Sequence, residues 1–153
     1  MRLPLLFVSL LPLAAMGCTA SKTCTLLACG NSGIRVDFTH VEPGTYVVDV
    51  VVDGTQTTCT ATLPLKATEP TDDACSAAGI LLTRSGSAMP AADQSIGGLQ
   101  IQRANANSVT VRVTRDGKLL HDATFSPNYV VTPGPNGPDC DPKECKGATF
   151  ALP

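Results

Sequence analysis

Apolar residues in this chain recur at every second position, in short runs broken by turns. In "IRVDFTH" Ile34, Val36 and Phe38 fall on one side and Arg35, Asp37 and Thr39 on the other, the alternation of a half-buried β-strand. "EPG" then turns the chain. "TYVVDVVVDGTQTTCTATLP" predicts a hairpin: Tyr46, Val48, Val50 and Val52 share a face, Asp53-Gly54 supplies a positive-φ turn, and the return arm runs to Leu63 before Pro64 stops it. Val47 and Val51 make the other face apolar too, so this arm is expected at the centre of a sheet, buried on both sides.

"GILLTR" is a short apolar run, and "GLQIQR" alternates Leu99 and Ile101 with glutamines. "SVTVRVTRDGKLLHDATFSP" predicts a second hairpin, with Val109, Val111 and Val113 facing in and Asp116-Gly117 at the turn. It echoes the first hairpin, except that the two return arms are out of step by one residue. "YVV" reads as an edge segment, and "ATFAL" is expected to pair back into a sheet. Nothing after residue 17 holds a helical period for three turns. Seven or eight short strands predict an all-β fold, a single immunoglobulin-like β-sandwich of antiparallel strands, with a small β-barrel as the alternative. The chain has no Trp, and Cys59 and Cys75 lie too close in sequence for the immunoglobulin inter-sheet pair.

The first seventeen residues stand apart. Arg2 is the only charge before Lys22, and "LPLLFVSLLPLAAMG" has the length of a signal-peptide core and is short for a membrane span. Its end, "LAAMGC", resembles the bacterial lipobox, with Ala15 and Met16 where Leu and Ala or Ser are commoner. That resemblance implies cleavage before Cys18 and lipid attachment to its sulfur, and two or three acyl chains on one residue give stable anchoring. The expected organisation is a signal peptide over 1–17, a lipidated cysteine and tether over 18–32, and the sandwich over 33–153 with a Pro/Gly-rich disulfide loop at 133–147. Thr19 stands where an Asp would signal inner-membrane retention in enteric bacteria, so the expected address is the outer membrane of a bacterial envelope.

Removing residues 1–17 takes away one positive charge, moving the formal net charge from −2 to −3. That balance gives no reason to expect nucleic acid as a partner. Without Trp, and with few aromatics of any kind, stacking platforms for bases or sugars are scarce.

Setting Cys18 aside leaves an even set of six: Cys24, Cys29, Cys59, Cys75, Cys140 and Cys145. In an exported chain this implies a disulfide framework. Local closure pairs Cys24 with Cys29, Cys59 with Cys75 and Cys140 with Cys145; the rival exchanges partners between the two terminal pairs. A zinc site from "CTLLAC" and "CDPKEC" is disfavoured by their C-x4-C spacing and by the absence of a nearby His. Asp139, Asp141 and Glu144 do not follow the calcium-loop spacing and read as solvated acids.

The only imidazoles are His40 and His121. They carry the alternative function, an envelope hydrolase or metal-dependent enzyme, although no G-x-S-x-G elbow accompanies the serines of "RSGSAMP" or "QSIGG". The lipobox, the two hairpins and "FSPNYVVTPGPNGPDCDPKEC" together resemble small bacterial lipoproteins of myxobacterial type. The resemblance implies export, lipidation and a sandwich, and it brings no activity with it. The expected function is a lipid-anchored binding or structural module, with no enzyme activity, no cofactor and no metal. Its expected contacts are the membrane through Cys18 and an envelope protein or glycan.

Overall fold

In the computed structural model the described residues are 29, 32–66, 75–137, 140 and 144–152. They form nine strands: β1 Gly33–His40, β2 Gly44–Val52, β3 Thr55–Leu63, β4 Ile80–Ser85, β5 Ser95–Ile101, β6 Val109–Arg115, β7 Lys118–Phe125, β8 Val130–Thr132 and β9 Cys145–Ala151. The only helical turn among the described residues is a 3₁₀ turn over Ala91–Asp93. One sheet has the order β4-β5-β1-β9-β8 and the other β3-β2-β6-β7. Two separate sheets make this a β-sandwich and not a closed barrel. The strand order differs from that of constant-type immunoglobulin domains, where the first two strands share a sheet: here β1 and β2 lie in opposite sheets.

Alternation decides which side chains meet between the layers. Ile34, Val36 and Phe38 from β1 pack with Tyr46, Val48, Val50 and Val52 from β2, and with Val109, Val111 and Val113 from β6, all buried. Each fully buried Val or Ile contributes about 1.5 to 3 kcal/mol, so this interlayer slab is the main favourable term. β2 is an inner strand, as expected, but its two faces differ. Val47 and Val51 are only half-buried, on a solvent-facing side shared with Thr58, Thr60, Thr62, Thr110 and Thr114.

Both Asp-Gly turns form, with Asp53 and Asp116 themselves at positive φ. The offset between the hairpins has a structural cause. β2 and β3 pair without interruption, whereas β6 and β7 shift register between Val113 and Thr114. A one-residue slip would turn the rest of the arm over. The bulge restores the facing, so Ala123 and Phe125 lie opposite inward Val111 and Val109, as Ala61 and Leu63 face inward on β3.

β1 runs antiparallel to β5 and parallel to β9, with Gly33 opposite Gly147. At Gly98 (φ 134°) a Cβ would come within 2.4 Å of the Val36 carbonyl oxygen, so this close approach of β5 to β1 requires glycine. The parallel pairing brings the beginnings of β1 and β9 to one end of the sandwich. His40, the last residue of β1, marks the other end.

Candidate functional site

The parallel β1–β9 pair replaces the local cysteine partners with the rival exchange between the two terminal pairs. Cys29 lies four residues before β1 and Cys145 opens β9, and the two are bonded with their Cα atoms 5.5 Å apart. The local pairs Cys24 with Cys29 and Cys140 with Cys145 are therefore not formed. Local spacing misled because a parallel pair joins strands far apart in sequence, and no short window records that. Cys140 is also disulfide-bonded; Cys18 and Cys24 lie outside the described residues. Cys59 and Cys75 are bonded as expected, clipping the segment before β4 onto β3 through an isolated antiparallel bridge.

The two histidines, 81 residues apart in sequence, meet at the far end of β1. Their ring centroids are 5.2 Å apart, one ring from each sheet. His40 also stacks on Tyr46 at 5.4 Å and lies 5.5 Å from Phe38. A sequence signal for this existed. Carried one step past Phe38, the inward parity of β1 reaches His40, and the parity of Ala123 and Phe125 reaches back to His121.

Tyr46 fixes this corner. It is fully buried, and its hydroxyl donates to the Glu42 carbonyl at 2.7 Å. A tyrosine bonding back four residues where the chain crosses between sheets is the arrangement of a tyrosine corner. The β6–β7 turn clasps the same place: Thr45 N–H donates to Asp116 Oδ1 and Asp116 N–H donates to the Thr45 carbonyl, both at 2.9 Å. Arg115 forms an ion pair with Glu42. Gly44 (φ 146°) leaves room for this clasp, since a Cβ there would meet the Asp116 carboxylate and the Arg115 side chain. Sequence reading placed Tyr46 on the face it shares with Val48, Val50 and Val52 and Asp116 in its turn. The roles of both, and of Glu42 and Arg115, at this corner depend on the crossing and were not legible.

Burial holds His40 below the ordinary histidine value, with His121 and then Arg115 adding to the effect. Burial likewise pushes the Tyr46 hydroxyl up, helped by Asp116. His40 Nε2 is shut off from solvent and has no hydrogen-bond partner. A nitrogen so enclosed is poorly placed to take a proton from a substrate. Among the described residues no three His, Cys, Asp or Glu side chains are grouped to hold a metal ion. Ser85 and Ser95, from the two serine-bearing stretches, hydrogen-bond each other at 2.7 Å across β4 and β5.

Open surface lies on the outer face of the five-stranded sheet. Arg35 and Asp37 form an ion pair there. To one side a depression of about 630 Å³ is lined by Arg35, Asp37, Asn128, Val130, Thr132 and Thr149, floored by Gly147. To the other, one of about 480 Å³ is lined by Leu81, Thr83, Gln100 and Gln102. Both suit polar contacts, and neither has an aromatic lining. Among the described residues no helix is long and apolar enough to cross a membrane. Comparison with family models, with curated proteins and with solved structures gives no match in any of the three.

Proposed function

We propose that the protein is a lipid-anchored lipoprotein of the bacterial cell envelope, of the myxobacterial type it resembles, with the sandwich acting as a non-enzymatic binding or structural module. Residues 1–17 direct export, acyl chains on Cys18 hold the chain in the outer membrane, and the sandwich stands off on the tether. The observation that carries this reading is the Cys29–Cys145 bond. Disulfides fit an oxidising compartment, and this one ties the end of the tether to the strand closing the fold. Ten residues separate Cys18 from Cys29, a span of up to about 35 Å when extended. The outer face of the five-stranded sheet, with its two depressions, is then the surface offered to an envelope protein or glycan.

Metabolic labelling tests the anchor. The wild-type chain is expected to incorporate labelled palmitate and fractionate with membranes; Cys18→Ser should lose the label entirely and leave the membrane fraction. Unchanged labelling of the variant would overturn the anchor. The enzymatic reading keeps one observation in its favour, the contact of His40 with His121. It requires a turnover that His121→Ala abolishes while the fold persists.

A further inference from the structure

We propose that the His40–His121 contact is a pH-sensitive joint between the two sheets, closed when both imidazoles are neutral and opened by mild acid at the end of the sandwich remote from the tether.

The joint is where the chain crosses between layers. His40 ends β1, and His121 sits on the outermost strand of the other sheet, beside the register shift that interrupts β6–β7 pairing. Their side chains meet across the interlayer space, backed by Tyr46 of β2 and Phe38 of β1. Neutral imidazoles can share such a space. Histidine gains charge between about pH 8 and 5, and two imidazolium rings at this separation repel.

The surrounding charges sharpen the response. Arg115 of β6 already places a cation nearby, and Arg84 of β4 lies in the same cross-strand row through Ile96. The neighbouring acids are engaged: Glu42, in the connection after β1, pairs with Arg115, and Asp116, in the β6–β7 turn, accepts from Thr45 N–H. Tyr46, whose hydroxyl titrates only at alkaline pH, stays neutral throughout. A proton arriving on His40 therefore meets burial and like charge.

The sign follows from linkage. His40 binds a proton less readily folded than unfolded, so its contribution is fully present above its unfolded value of 6.5 and is lost as pH falls through its lower folded value. β7 has a neighbour on one side only, so it is the strand free to move. Opening would release the β6–β7 turn from Thr45 and uncover the edge of Tyr46.

The test uses the intact lipidated chain in detergent. Amide hydrogen exchange, corrected for intrinsic rates, is compared at pH 7.5 and 5.5. Opening is expected to rise by up to tenfold for each pH unit between 6.5 and the lower folded His40 value, and to level off below it, at residues 40–46 and 115–121, with β3 unchanged. His40→Gln should abolish that rise, and His121→Gln should reduce it by the share that His121 adds to burial. Should the variants not fold, the carbon-bound ring proton of His40, followed by NMR in the wild-type protein, must titrate below 6.5 and in step with the change at Tyr46. A wild-type rise that persists in His40→Gln or is undiminished in His121→Gln, uniform opening of all strands, or a His40 titration at or above 6.5 would each overturn the joint.

Discussion

Tyr46→Ala should be the most damaging single side-chain truncation in the sandwich, costing about 3 to 5 kcal/mol, in the range for deleting a buried aromatic ring. Domains of this size hold only about 5 to 15 kcal/mol in total, so the variant should approach or pass the limit of folding at 37 °C. The ring is completely buried between β2 and the end of β1, stacked on His40, and its hydroxyl ties the Glu42 carbonyl. Alanine would open a void at the crossing, leave that carbonyl without its donor and unseat His40. Tyr46→Phe separates the contributions. It keeps the ring and loses the hydroxyl bond, so it should cost only about 1 kcal/mol. Urea denaturation of both variants, followed by circular dichroism, provides the comparison; equal losses would mean that the hydroxyl, and not the packing, dominates.

Removing the Cys29–Cys145 bond by replacing both residues with serine should be the second large loss, about 2 to 5 kcal/mol. The upper figure belongs to an isolated closure of the 116-residue separation. Cys140 is also bonded, so part of the constraint survives and the loss should fall short of that limit. The damage should be local. β8 is three residues long, pairs only with β9, and Cys145 sits opposite Thr132 at the end of that pairing. Hydrogen exchange should accelerate at 130–132 and 145–148 while β2 and β3 hold. The Cys59–Cys75 bond closes a shorter loop, of sequence separation 16; losing it should cost about 3 kcal/mol, with fraying confined to the segment leading into β4. Reversed patterns of exchange would mean that the two staples had been assigned the wrong roles.

Much of the sandwich could be read from the chain because its information is local. Alternation placed β1, β2 and β6, and each Asp-Gly turn fixed its hairpin. The bulge in β7 was legible as an offset between two otherwise similar arms, though its meaning, keeping Ala123 and Phe125 on the inward side, required the register. What spacing could not decide was non-local. Cys29 reaches Cys145 only because β1 and β9 run side by side in the same direction, and C-x4-C spacing says nothing of that. The candidate site falls between these cases. His40 and His121 both sit at inward positions of their strands, yet a lone histidine in a strand gives no hint of a second one facing it from the other sheet. Arg115, Glu42 and Asp116 became part of the site through the corner at Tyr46, a consequence of where the chain changes layers.

An exported chain anchored at Cys18 and closed by three disulfides, as proposed, carries all of these features in its intact mass. Protein extracted from membranes with detergent is weighed intact, before and after reduction. The expected mass is that of residues 18–153 plus acyl chains, rising by about 6 Da on reduction as three disulfides gain two hydrogens each. A chain that retains residues 1–17, or carries no acyl mass, or gains nothing on reduction, would contradict it.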